Sequence, residues 1–244
     1  MKEIKTRAEM LAIRRKRRLK RRIKRTCYLL LSILLCVLFI IFTIKLTSTV
    51  KDLFDNNSTS NTQNRKDSGY PLSMFDFESI EVPDFVEVEM IDNPFARSRK
   101  KLDRINGIVI HYVGNPNTTA QNNRNYFNDI NTTVCSHFII GLNGEIIQCL
   151  PLDERSAASN DRNRDTFSIE VCHPDESGKF NLETYNSLKK LTFWLCDTFE
   201  LKTDKIIRHY DVTGKICPKY YVEHEDAWEK MLQDISMELH QSVR

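Results

Sequence analysis

Two histidines end short apolar runs, His111 in GIVIH and His209 in IIRH, and Cys217 follows the second by eight residues. Together they form a donor set that suits zinc. The ion takes neutral imidazoles and a thiolate in tetrahedral geometry, and three protein ligands with a fourth position open to water is the catalytic pattern rather than the structural one. No short zinc motif requires this spacing, so on spacing alone a core cysteine near a satisfied histidine competes with the metal reading. Lys215, two positions before Cys217, can direct an ammonium at such a site, lowering the thiol's pKa and stabilising negative charge on a bound carbonyl; taken singly it reads equally as a solvated loop lysine. Glu170 lies in SIEVC between apolar neighbours, where an unpaired carboxylate is expensive, so it either meets an ion-pair partner or faces a cleft. A second chemistry draws on the same residues: a cysteine hydrolase with Cys217 as nucleophile and His209 as base, which requires an accessible thiol.

The elements that must position these groups are those of an α/β domain beginning near residue 105. GIVIHYV, residues 107–113, is a β-branched run suited to a buried strand, and TFSIEVC, 166–172, is another. Thr118 or Thr119 caps a helix running to about Ile130. SHFIIGLNGEIIQCL, 136–150, reads as a hairpin with Asn143 and Gly144 in a two-residue turn, because both tolerate positive φ; that register sets Cys135 opposite Leu152. Leu182, Tyr185, Leu188, Leu191, Leu195 and Phe199 follow helical spacing behind Asn181 as cap, which gives a core helix over 182–200. IIRH, 206–209, is a last short strand, and residues 225–239 form a closing helix. The stretch 70–104 reads either as more linker or as a lead-in packed on the domain.

Taken in order, GIVIHYVGNP, SHFIIGLNGEIIQCLPLDE, SIEVCHP and RHYDVTGKICP resemble the zinc-dependent N-acetylmuramoyl-L-alanine amidases of type 2, relatives of the peptidoglycan recognition proteins, over about residues 100–235. The resemblance implies a mixed β-sheet flanked by helices with one zinc ion in a cleft, held by His111, His209 and Cys217. It also implies that Glu170 is the catalytic glutamate of the bacterial branch and that Lys215 is the lysine before the third ligand. The bond to be cut is the amide between the lactyl group of N-acetylmuramic acid and the L-alanine of the stem peptide. Two places depart from the pattern. Ser136 stands where some relatives carry a catalytic tyrosine, and ERSAASND, 154–161, replaces a segment with an aromatic residue and a histidine, so substrate contacts there are expected to differ. The same fold can also bind peptidoglycan without cutting it, usually after losing a ligand; here all three ligands, Glu170 and Lys215 are present.

Ahead of the domain the chain changes character. Residues 1–25 contain 13 Lys or Arg against Glu3 and Glu9, a net of +11, so the total of +3 leaves about −8 on the remainder. CYLLLSILLCVLFIIFTI, 27–44, is 18 consecutive uncharged residues, which as a helix covers roughly 27 Å, close to the hydrocarbon thickness of a bilayer. A cleaved signal peptide has a shorter apolar region and a small-residue site, whereas KLTSTV follows here, so an uncleaved anchor is expected. Lysine and arginine beside a span stay on the cytoplasmic side, which places everything after residue 46 outside. The basic block faces anionic lipid headgroups, and nucleic acid is not expected, since no base-reading module accompanies it.

The expected fold class is thus α/β, a mixed central sheet flanked by helices with a zinc cleft, preceded by one N-terminal transmembrane helix. The expected segments are a basic cytoplasmic stretch 1–25, an anchor 26–46, a linker and lead-in 47–100 rich at its start in Asn, Ser and Thr, and an amidase domain 101–240. The expected location is the cell membrane, single-pass, with the domain facing the cell wall and peptidoglycan or muropeptide as substrate. Among the remaining residues, His137 reads as structural or as a substrate contact, Trp194 and Trp228 as packing, and Cys135, Cys149, Cys172 and Cys196 as imposing no disulfide.

Overall fold

In a computed structural model that describes residues 69–242, the apolar runs line up as one sheet of six strands: β1 Val86–Val88, β2 Ile108–Tyr112, β3 Phe138–Ile140, β4 Ile146–Gln148, β5 Phe167–Val171 and β6 Ile206–Arg208. The spatial order is β1-β4-β3-β5-β2-β6. Every neighbouring pair is parallel except the β3–β4 hairpin. The expected anchor 26–46, the basic segment 1–25 and the tether up to residue 68 lie outside the described residues. Among those described, no helix is long and apolar enough to cross a membrane.

Both faces of the sheet are covered, as a largely parallel sheet requires. On one face Ile108, Ile110, Phe138, Ile140, Phe167 and Ile169 pack against helices α2 (Leu182–Thr198) and α5 (Glu225–Ser242), the latter following a short helix α4 (Lys219–Glu223). On the other, Ile139, Ile147 and Cys172 pack against helix α1 (Ala120–Asn128) through Ala120 and Phe127. The alternation of side chains along β2 and β5 puts His111 and Glu170 on this second face. Helix α1 starts at a capping box: Asn122 N donates to Thr119 Oγ1 at 3.1 Å, and Thr119 N donates to Asn122 Oδ1 at 3.1 Å. Asn181 caps α2 by accepting from Thr184 N at 2.8 Å. Such a cap contributes about 1 kcal/mol.

The stretch before β2 is packed rather than loose. Tyr70 and Ile105 exchange two backbone hydrogen bonds of 2.8 Å, Phe75 stacks edge-on against Phe199, β1 extends the sheet beside β4, and Ile91 is fully buried. The buried Asn93 amide donates to the carbonyls of Phe127, Asp129 and Thr132 at 2.7 to 3.0 Å, which closes the far end of α1.

Three local expectations are corrected. The β3–β4 turn has three residues, not two: Gly144 N donates to Gly141 O at 3.1 Å and Gly141 N to Glu145 O at 2.8 Å. Gly144 takes positive φ (83°) and Asn143 does not, which is a turn closed by a glycine bulge rather than a mirror-image turn. The register accordingly moves by one, with Phe138 opposite Gln148. His209 does not end a strand; it opens a short helix, α3 (His209–Thr213), because Asp211 Oδ2 accepts from Arg208 N at 2.8 Å and caps it. The closing helix α5 runs to Ser242, past the expected end at residue 239.

Candidate active site

The cleft lies at the C-terminal ends of β2, β5 and β6, where open parallel sheets present their ligand sites. Residues His111 and Glu170 are direct partners across β2 and β5. Ile110 pairs with Arg208 at the end of β6, so His209, the next residue, comes beside His111; the two imidazole centroids are 4.6 Å apart. Arg208 anchors this corner from below. The residue is 7 % exposed, and its guanidinium donates to Asp211, to Glu225 and to the Tyr221 carbonyl.

Cys217 is returned to the same point by a tight excursion. Helix α3 stops at Gly214, which takes positive φ (76°) and donates to Tyr210 O at 2.7 Å. Tyr210 N then donates to Cys217 O at 2.9 Å and fastens the loop onto the helix. Sγ of Cys217 thereby sits 3.8 Å from Nδ1 of His111. The ligand atoms of His111, His209 and Cys217 all lie within 4.8 Å of one another.

This donor set fits zinc on the geometry. Two donors bound at zinc distances in a tetrahedron are separated by roughly 3.6 Å, near the 3.8 Å found. Nδ1 of His209 is buried and meets no hydrogen-bond partner among the described residues, which is the condition of a nitrogen whose lone pair is reserved for a metal. Burial, the His209 ring and the Lys215 ammonium hold His111 well below the usual imidazole range. Burial and Lys215 lower His209 as well. Both rings therefore stay neutral, the form that binds a metal.

Glu170 flanks the set. Its Oε1 is 3.9 Å from His111 Nδ1, and its Oε2 is buried without a hydrogen-bond partner among the described residues. Burial pushes its carboxyl up to about 8, against the pull of Lys215. Lys215 is exposed on the loop between α3 and Cys217, and its charge acts on His111, His209, Glu170 and Cys217 alike. His111, His209, Cys217 and Glu170 are thus brought to one place, and Lys215 acts on them through its charge.

The cysteine-hydrolase arrangement is not formed. Cys217 is 2 % exposed, the imidazole nitrogen recorded against its sulfur belongs to His111 and not to His209, and burial with the Glu170 carboxylate pushes the thiol up to about 12. His137 is a structural residue: it is fully buried, with Nδ1 against Ser168 Oγ at 3.1 Å and Nε2 against the Glu154 carbonyl at 2.8 Å. Sequence reasoning missed Ser159 and Asn160. The hydroxyl of Ser159 lies 2.9 Å from His111 Nε2, and Asn160 Oδ1 lies 2.9 Å from His209 Nε2. The only signal was the departure of ERSAASND from the pattern of the resembled amidases.

Fold and cleft define a mixed α/β domain carrying a buried His-His-Cys donor set beside a carboxylate. Residues 101–220 match the family described as N-acetylmuramoyl-L-alanine amidase, and that stretch is an amidase domain of type 2. It is 32 % identical over 158 residues to the N-acetylmuramoyl-L-alanine amidase CwlL of Bacillus licheniformis, a match covering 58 % of this chain and 42 % of the relative. It is 29 % identical over 157 residues to the amidase BlyA of Bacillus subtilis strain 168, covering 56 % and 42 %. The match thus spans less than half the length of these relatives. Among solved structures, the catalytic domain of XlyA superposes with a TM-score of 0.54 at 22 % identity, covering 62 % of this chain and 98 % of that one. PlyL gives 0.55 at 20 % identity, covering 62 % and 96 %. At these identities the likeness is one of fold.

Proposed function

We propose that this chain is a zinc-dependent peptidoglycan hydrolase that cleaves the amide between the lactyl group of N-acetylmuramic acid and the L-alanine of the stem peptide. The observation that carries the reading is the convergence of His111, His209 and Cys217 with the unpartnered Glu170 Oε2, inside a domain of the amidase family.

His111 and His209 through Nδ1, and Cys217 through Sγ, would hold the ion. When bound, zinc supplies a water of lowered pKa and Lewis-acid polarisation of the scissile carbonyl. Glu170 Oε2 takes the proton from the water that attacks the carbonyl carbon and delivers it to the departing nitrogen as the C–N bond breaks. Burial raises the carboxyl's affinity for that proton, which suits it to carry the proton from the first step to the second. Lys215 places positive charge near the carbonyl oxygen, where negative charge develops. The products are a lactyl carboxylate and a stem peptide with a free L-alanine amine.

The same reading places the domain outside the cell. Its support is the sequence: a basic segment 1–25 precedes an 18-residue apolar run at 27–44, and a helical anchor over 26–46 with cytoplasmic Lys and Arg puts the remainder on the wall side. Anionic headgroups would meet residues 1–25, and residues 47–68 would tether the folded unit to the bilayer.

The full chain in detergent, assayed on muropeptides before and after chelation, tests the reading. Cleavage lost with the metal and restored by zinc supports it. Cleavage that survives complete metal removal overturns the zinc mechanism, and bound zinc without cleavage turns the chain into a binding module of the same fold.

A further inference from the structure

We infer that Ser159 and Asn160 are positioning residues for the metal: they fix the two imidazoles in the tautomer that turns Nδ1 toward Cys217. The inference deepens the zinc reading above and rests on it. An amide oxygen accepts and does not donate. Asn160 Oδ1, 2.9 Å from His209 Nε2, therefore requires the proton on Nε2, and in a neutral ring this leaves the lone pair on Nδ1. That is the nitrogen found buried and without a hydrogen-bond partner among the described residues. Ser159 Oγ lies 2.9 Å from Nε2 of His111, and a hydroxyl, which accepts as well as donates, can take the Nε2 proton while Nδ1 of that ring faces Sγ of Cys217 at 3.8 Å. A partner on the remote nitrogen of a ligating histidine sets ring orientation and tautomer.

The segment is built to hold these two oxygens in place. Asn163 Oδ1 accepts from Ala158 N at 2.9 Å and from Ser159 N at 2.6 Å, and Ser156 Oγ donates to it at 3.2 Å. Arg162 fastens the far end to Asp165 at 2.7 Å and to the Asn106 carbonyl at 3.1 Å. Ser159 is fully buried against His111. Asn160 sits at the rim with φ of 51°, a left-handed conformation that asparagine tolerates and most residues do not. The ERSAASND segment, which departs from the pattern of the resembled amidases, thus reaches behind the metal ligands.

The test uses zinc itself as probe, in competition with a chromophoric chelator, on the metal-stripped full chain in detergent. Asn160→Gly removes the amide and tolerates the backbone angle; Asn160→Asp keeps an acceptor. On the order of 10- to 100-fold weaker zinc binding is expected for Asn160→Gly and Ser159→Ala, with Asn160→Asp within a few fold of wild type. Long-range nitrogen–proton NMR of the metal-free wild type reads the tautomer without any variant, and the His209 proton is expected on Nε2. Zinc affinity unchanged within twofold in both Asn160→Gly and Ser159→Ala, or a His209 proton on Nδ1, overturns the inference. A wild type that binds no zinc instead overturns the proposed function, and the imidazole spectrum still decides the tautomer.

Discussion

His111 and Glu170 are register partners on adjacent parallel strands, the fourth residue of β2 opposite the fourth of β5. That pairing sets an imidazole of the His-His-Cys set and a carboxylate on the same face of the sheet, with Oε1 3.9 Å from Nδ1. The backbone that carries the carboxylate is therefore held by sheet hydrogen bonds, which is the rigid placement a proton-transfer group needs.

Glu170→Gln keeps size and removes the proton acceptor. It is expected to lower the turnover of muropeptides by about 100- to 10,000-fold while the bound zinc content stays as in wild type. Steady-state rates with metal analysis on the same sample check this, and loss of zinc in the variant would mean that the carboxylate serves the metal site instead.

Cys217→Ser leaves an oxygen where the donor set supplies a thiolate. Zinc is expected to bind more weakly and activity to fall with it, and the cobalt-loaded wild type is expected to show a thiolate charge-transfer band that the variant lacks. A variant that retains both metal and band would remove Cys217 from the site.

His137 gives the fold a pH dependence. Burial pushes its imidazole down to about 4 from an ordinary 6.5, so below pH 6.5 the unfolded chain binds a proton that the folded one refuses. Stability is full above pH 6.5 and drains away as pH falls toward 4, by roughly 3 kcal/mol from this residue. Urea midpoints across that window are expected to fall less steeply in His137→Gln, by one proton's worth of slope, although the variant starts lower at neutral pH. Equal slopes would place the effect on other groups.

Ile91 lies in the stretch before β2 and is fully buried beside Ile147 and Leu150. Ile91→Ala is expected to cost about 2 to 5 kcal/mol by denaturant unfolding. A cost below about 0.5 kcal/mol, usual for exposed sites, would mean that this stretch does not share the domain's core.

Much of this was legible in the sequence because strong local signals coincide with the site. The β-branched run around His111 and the SIEVC run around Glu170 are buried strands, and their burial makes a carboxylate there conspicuous. The cap at Asn181 fixed the start of α2. Signals failed where a longer-range contact or a single backbone angle decided. IIRH is too short to separate a strand end from a helix start, and the side chain of Asp211 settles it. Asn143 and Gly144 suit a two-residue turn equally well until Asn143 keeps negative φ. Ser159 and Asn160 act on rings 48 and 49 residues away in the chain, and no periodicity records such a contact.

The central claim is the identity of the bond that breaks, and labelling the new termini in purified peptidoglycan digested by the zinc-loaded full chain reads it directly. The account predicts free L-alanine amino groups appearing in step with peptide-free lactyl carboxylates, with no new reducing sugar ends. New reducing ends, or new amino termini at any residue other than that L-alanine, would contradict it.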